Sequence, residues 1–286
     1  MRTGYKPPGG RPAATVPRAA GSRPARARPS GWRDHDWRLI RDEPQHPALH
    51  MALDEVLARE VAAGRRPPTL RIWEWSVPAV VIGSFQSLRE EVDTGEADRR
   101  GMTVVRRATG GGAMLIEPAG TITYSLYAPE SLVAGMSYAE SCRYLDDWVL
   151  GALTTDLGIA AWYQPLNDIT SPHGKIAGAA QRRFAGGAVL HHVTMAYDVD
   201  ADAAARVLRA GRDEPPGRGI PGAAHRVDPL RRQTWLPRAE IIDALIGHFQ
   251  RRYGLTWGAL TAGELRAAGD LARAKFARSE WTARVP

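Results

Sequence analysis

The sequence predicts an α+β domain in which a mixed sheet is packed with helices, and three observations carry that prediction. Strand-like segments recur along the chain, among them LRIWEW (residues 70–75), AVVIGSF (79–85), MTVVRR and TITYSLY (121–127). Helix-period segments separate them at irregular spacing, without the strand–helix–strand rhythm of an all-parallel sheet. The 286 residues are 44% apolar and 24% charged, ordinary for a globular chain able to bury a sizeable core.

The elements follow from local signals. Residues 1–33 hold eight basic residues and no acidic one; subtracting them from the net charge of +7 leaves −1 for residues 34–286. Basic character thus belongs to the leader, and the remainder does not read as a nucleic-acid-binding core. The leader is rich in Pro, Gly and Ala, so disorder is expected over residues 1–36, with the folded domain spanning 37–286. It lacks the apolar stretch of a secretory signal. HPALHMALDEVLAREVAAG places Met51, Leu53, Val56, Leu57 and Val61 at helical spacing, with Gly64 as a stop. Residues 70–75 and 79–85 read as strands around a turn carrying Pro78, and residues 90–100 as a short helix. Residues 138–157 predict an amphipathic helix burying Tyr144, Leu145, Trp148 and Leu153. NDIT (167–170), GKIAGAAQRR (174–183) and AVLHHVTMAYDVD (188–200) predict a β-hairpin region. A Gly/Pro-rich loop over 211–224 and a helix over 237–253 complete the chain. No run reaches the roughly 18 apolar residues of a membrane span. One cysteine, Cys142, excludes an internal disulfide and fits a reducing compartment, so a cytoplasmic location is expected.

Two segments carry chemistry. In RRATGGGAML, three consecutive glycines (Gly110, Gly111, Gly112) follow Arg106, Arg107 and Thr109 and precede Ala113. A triple glycine costs backbone entropy but lets a chain approach a ligand and turn N–H groups toward an anion. The two guanidiniums are suited to phosphate or carboxylate oxygens. In GKIAGAAQRR, Lys175 lies between two glycines that mark close approach, with Gly178, Ala180 and Gln181 following. Its ammonium is a mobile charge for a carbonyl or phosphate oxygen; the alternative is an exposed turn lysine. Asn167 and Asp168 suit either Mg²⁺ or an Asx turn. His191 and His192, adjacent on a strand, point to opposite faces. Cys142 reads as a small core residue on a helix.

Together, LRIWEWSVPAVVIGSFQS, RRATGGGAMLIEPAGTITYSLY, NDITSPHGKIAGAAQRR and VLHHVTMAYDVD resemble the lipoate–protein ligase family of the biotin/lipoyl ligase superfamily. RGIPGAAHRVDPL resembles the loop that closes over nucleotide in that family, and KFARSEWTARVP the end of its catalytic domain. The resemblance implies a largely antiparallel sheet flanked by helices, related to the class II synthetases, as a stand-alone catalytic domain without an accessory domain. It implies ATP-dependent adenylation of lipoate or octanoate, with Mg²⁺, and transfer to a lysine of a lipoyl carrier domain. Such carriers belong to 2-oxoacid dehydrogenase complexes or are the glycine-cleavage H protein; a separate accessory subunit is a further expectation. Lys175 would contact the acyl carbonyl and phosphate oxygens as the catalytic residue. Gly83, Gln86, Arg106, Arg107, Thr109, the glycines, Ala113, Asn167, Asp168, Gly178, Ala180, Gln181, His192 and Thr194 would bind acyl chain or nucleotide, with Asp168 as a metal ligand. The chain departs from the family pattern at Leu115, Ile116 and Glu117 after the glycines, and at Val193. An ATP-independent octanoyl- or lipoyltransferase and a binding module without turnover are the alternatives. The resemblance implies neither a nucleic-acid nor a membrane partner.

Overall fold

The computed structural model describes residues 30–209 and 227–285. Its strands are β1 (Arg38–Arg41), β2 (Thr69–Trp73), β3 (Ala79–Ile82), β4 (Thr103–Arg106), β5 (Met114–Ile116), β6 (Thr121–Pro129), β7 (Trp162–Gln164), β8 (Asp168–Ser171), β9 (Gly174–Phe184), β10 (Ala188–Ala196) and β11 (Thr256–Trp257). Eight of them form one sheet, ordered β11-β1-β2-β6-β10-β9-β8-β7. Only β1 pairs in parallel, with β2 and β11; every other pair in that sheet is antiparallel. A second, small sheet has the order β4-β3-β5.

The helices are α1 (Pro47–Ala62), α2 (Leu88–Glu91), α3 (Thr94–Arg99), α4 (Tyr138–Gly151), α5 (Ala201–Val207), α6 (Leu230–Thr234), α7 (Arg238–Tyr253), α8 (Ala262–Leu271) and α9 (Ser279–Thr282). Pro47 opens α1 at a position where its missing N–H costs nothing, and Gly64, at φ +69°, sits just past its end. Most of α1 is buried, including Asp54 and Glu55. A helix buried on nearly all sides must pair its few charges. Ser137 and Glu140 form a reciprocal capping box at the start of α4.

Strict alternation along the central strands divides the large sheet into two faces. Leu70, Ile72, Ile122, Tyr124, Val189, Val193 and Met195 join a core with Leu145 and Trp148 of α4 and Phe249 of α7. Trp73 on the opposite face packs with Met51 and Leu53 of α1, with Val81, Val105 and Ile116 of the small sheet, and with Phe276.

The fold departs from the sequence reading at its start, around Pro78, and over residues 90–100, where two short helices, α2 and α3, stand in place of one. Order begins before residue 37: Trp32 is buried and stacks at 5.2 Å on Trp37 and 4.7 Å on Tyr253. The strands flanking Pro78 do not pair with each other, because β2 belongs to the large sheet and β3 to the small one. Residues 1–29 of the expected tail and the loop 211–224 lie outside the described residues. Among the described residues, no helix is long and apolar enough to cross a membrane.

Candidate active site

The glycine loop joins β4 to β5 and packs on the end of β3. A Cβ on Gly83 would lie 2.0 Å from the carbonyl oxygen of Gly111, so two backbones meet where no side chain fits. Gly111 adopts φ +90°, and a Cβ there would stand 2.9 Å from Arg107 Nη2. The Gln86 side chain accepts from the Gly83 N–H at 2.7 Å and steadies the turn.

The two arginines do not offer themselves to a ligand as the sequence reading expected. Arg106 is fully buried and donates to the carbonyls of Gly83 (2.8 Å), Gln86 (2.6 Å), Trp281 (3.1 Å) and Thr282 (2.9 Å). Arg107 donates to the carbonyls of Val81, Gly110 and Gly112 and to Thr109 Oγ1. Burial brings its guanidinium down to about 10. These carbonyl contacts turn the loop's acceptors inward. Among the described residues no hydrogen bond engages the N–H groups of Gly110, Gly111 and Gly112.

Under this loop, between the two sheets, lies a narrow, nearly closed slot with a cavity volume of about 20 Å³. Met51, Trp73, Trp75, Thr123, His192 and Thr194 line it from one side. Val81, Arg107, Met114 and Ile116 line it from the other. A polar relay runs along its inner wall. Burial lowers the His192 pKa and holds the ring neutral. Neutral His192 donates from Nδ1 to Asp54 Oδ2 at 2.7 Å, and Nε2 accepts from the Thr109 hydroxyl at 2.8 Å. Asp54 Oδ1 also accepts from Ser125 Oγ (2.9 Å) and the Tyr127 hydroxyl (2.6 Å). Asp54 was not singled out from the sequence, although a carboxylate inside so apolar a helix stretch, MALDEVLA, is a signal that it needs a buried partner.

Lys175 reaches the slot's face of the sheet through a β-bulge. Ile169 pairs with Ala177 but Thr170 pairs with Lys175, so Ile176 is the extra residue. Ile176 and Ala177 both enter the core beneath α4. Lys175 therefore leaves the face its parity alone would assign and lies over Gly178, where a Cβ would meet Nζ at 2.8 Å. Gly178 pairs with Thr194, a slot residue, and Ala180 pairs with His192. The Lys175 ammonium contacts Asp168 Oδ1 at 2.8 Å, with both side chains partly exposed. Asp168 is thus the partner of Lys175, in place of the metal role expected for it, and Asn167 donates to the Ala179 carbonyl. Among the described residues, no three His, Cys, Asp or Glu side chains gather around a common point.

Gln181 and Cys142 lie on the other face. Gln181 Nε2 donates to Ser141 Oγ at 3.0 Å, and the Cys142 thiol donates to Gln181 Oε1 at 3.7 Å. His191 joins them, its Nε2 at 2.7 Å from Asp146 Oδ1. Burial opposes the charged imidazole, but the Asp146 carboxylate outweighs it and brings His191 up to about 9. Cys142 and Asp146 of α4 and His191 of β10 are fully buried between α4 and the large sheet, on the face opposite the slot. Gln181 is accordingly separated from the other expected site residues. Ala113 packs in the small sheet's outer core.

The mixed sheet flanked by helices is the fold of the lipoate–protein ligases among solved structures. The chain matches the lipoyl protein ligase A/B catalytic domain over residues 46–250 and belongs to that family. It is 30% identical over 275 residues to the octanoyltransferase LipM of Moorella thermoacetica, covering 86% of this chain and 97% of that one. It is 31% identical over 261 residues to LipM of Symbiobacterium thermophilum, covering 82% and 93%. Among solved structures it resembles the bipartite lipoate protein ligase of Thermoplasma acidophilum, described with its E2 lipoyl domain. That match has 26% identity, a TM-score of 0.74, and coverage of 88% of this chain and 98% of that one. The relatives named octanoyltransferases overturn the expectation of an ATP-dependent ligase.

Proposed function

We propose that this protein is an acyltransferase that moves an octanoyl group from a thioester-linked carrier to a lysine of a lipoyl carrier domain, without ATP. The observation that carries this reading is the apolar slot on the Lys175 face of the sheet, read beside the octanoyltransferase relatives. Burying the six methylenes of an octanoyl chain contributes about 5 kcal/mol, which favours parting the walls of the narrow slot around a medium chain without a charged anchor. The carrier's amine attacks the thioester carbonyl and forms the C–N bond, and the C–S bond breaks as the tetrahedral adduct collapses. The proton shed by the amine leaves with the thiolate. Lys175 and the loop N–H groups stabilise the oxyanion that develops between those events. Asp168 holds the ammonium in place until the carbonyl arrives. The Asp54–His192–Thr109 relay keeps the loop in register with the slot.

The test offers octanoyl-loaded acyl carrier and an apo lipoyl domain to the full chain without ATP, with modification followed by intact mass. ATP-free octanoylation is expected. Modification only from free octanoate plus ATP, or binding without transfer, refutes the proposal.

A further inference from the structure

The slot lies between two sheets, so its width depends on what holds the small sheet against α1 and the large one. Residues 262–285 span that gap. Ala268, Ala272, Phe276 and Trp281 pack in the same apolar cluster as Met51, Trp73, Trp75, Val81 and Met114 of the slot wall. A chain of polar contacts runs alongside. Lys275 Nζ pairs with Glu55 of α1 at 2.7 Å and lies 4.3 Å from the Trp281 ring centroid. Trp281 Nε1 donates to the Arg106 carbonyl at 2.9 Å, and the Arg106 guanidinium returns to the Trp281 and Thr282 carbonyls. Arg284 stacks on the outer side of this contact, 4.0 Å from the Trp281 centroid, and donates to Ser84 O and Oγ at 2.6 Å. Ser84 adjoins Gly83, whose backbone bears directly on the glycine loop at Gly111.

We infer that residues 262–285 brace the small sheet and set the width of the acyl slot, with Trp281 and Arg284 as positioning residues for acyl-chain selectivity. The inference rests on the proposed acyl transfer for its substrate class. Neither side chain lines the slot; they act through Arg106, Ser84 and Gly83. Loosening the brace lets the sheets part, so longer chains gain relative to octanoyl. Close packing that rejects added methylenes is what such a variant gives up.

The test compares Arg284→Ala, Trp281→Ala and Trp281→Phe with the full wild-type chain. Two measurements are made: kcat/KM for octanoyl against dodecanoyl carrier, and equilibrium binding of free octanoate against dodecanoate by calorimetry. Arg284→Ala is exposed enough to fold and should lower the octanoyl-to-dodecanoyl preference about tenfold in both measurements; Trp281→Ala should do the same or more, and Trp281→Phe should restore most of it. A uniform loss for both chains means that the segment contributes only stability, and an unchanged ratio means that it does not set the slot; either overturns the inference. If wild type transfers nothing without ATP, the acyltransferase reading fails while the binding ratio still decides the brace. A wild-type chain that binds neither fatty acid overturns the brace as well.

Discussion

Replacing Gly178 by alanine separates the chemistry of Lys175 from the fold of its strand. A Cβ at this position would stand 2.8 Å from Lys175 Nζ, 2.9 Å from its Cε and 3.6 Å from Asp168 Oδ1. Non-bonded contacts of this kind settle near 3.5–4.0 Å, so the ammonium must retreat by about 1 Å. What yields is the end of a flexible side chain, and no backbone atom needs to move. Gly178 does not adopt positive φ, so alanine fits its backbone and should gain about 0.4–1 kcal/mol through the unfolded state. A misplacement of roughly 1 Å in an oxyanion donor costs about a hundredfold, or close to 2.7 kcal/mol of transition-state stabilisation. Gly178→Ala should therefore lose about two orders of magnitude in ATP-free octanoyl transfer at saturating donor, with a melting temperature equal to or above wild type. Lys175→Ala should fall at least as far, and the double variant no further, because both changes remove one interaction. Turnover of Gly178→Ala within about threefold of wild type, with the fold intact, would refute the placement of Lys175 over the reacting carbonyl.

Further outcomes follow from the same geometry. Cys142→Ala should keep transfer within about twofold of wild type per folded molecule, because the buried thiol meets Gln181 on the face of the large sheet opposite the slot; an acyl-thioester on Cys142 trapped in a single-turnover experiment would overturn direct transfer. Gly83→Ala should abolish transfer and lower the unfolding free energy by about 2 kcal/mol or more in urea, since its Cβ meets the Gly111 carbonyl at 2.0 Å with backbone on both sides; a well-folded active variant would show that the loop is not seated on β3. His191 has a folded pKa of about 9, above its ordinary 6.5, so its stabilisation is complete below pH 6.5 and is lost as pH rises to 9. Urea unfolding of wild type should accordingly lose stability between those values, by up to a few kcal/mol, relative to His191→Gln; parallel curves for the two proteins would refute the buried His191–Asp146 ion pair.

How far the site could be read from the sequence depended on whether the signal was local. The triple glycine is a local demand for a side-chain-free backbone, and it stands where that demand places it, at a junction of two chains. The separation of His191 from His192 followed from strand period alone, and the structure gives one to α4 and the other to the slot. The extent of α1 was also legible, from its apolar spacing and Gly64. Other features depended on tertiary pairing. The β-bulge at Ile176 has no composition signal, yet it alone moves Lys175 onto the face of Gly178 and Thr194. Gln181 appeared to belong with Lys175 because six residues of strand alternation return to the same face, and the bulge between them puts the two on opposite faces. Trp32 was assigned to the leader because its neighbours are polar and Gly/Pro-rich, while its partners Trp37 and Tyr253 come from two other segments.

The two arginines show how a correct chemical intuition can attach to the wrong atoms. RRATGGG was read as a cation pair aimed at an anion, because guanidiniums beside glycines match oxyanions well. In the fold Arg107 binds the loop's own carbonyls at Gly110 and Gly112, and Arg106 binds the Gly83 carbonyl just past β3. A peptide unit that turns its C=O toward a buried cation presents its N–H on the opposite side, because the two groups are antiparallel across the amide plane. On the proposed reading Arg107 acts on a substrate oxygen indirectly, by holding the Gly110 and Gly112 carbonyls so that the N–H groups of Gly111 and Ala113, in the same peptide units, point away from it. A positive charge at one remove suits acyl transfer better than direct contact. A guanidinium touching the carbonyl would be hydrated whenever the site is empty and would have to shed that water at every turnover, whereas Arg107 is already desolvated. Arg107→Lys should consequently fail even though it keeps the charge, since a single ammonium cannot hold three carbonyls and the Thr109 hydroxyl in one plane. The expected result is a loss of transfer of at least tenfold with octanoate binding retained in the slot; wild-type transfer by Arg107→Lys would mean that the charge alone matters and that the loop does not depend on the fork.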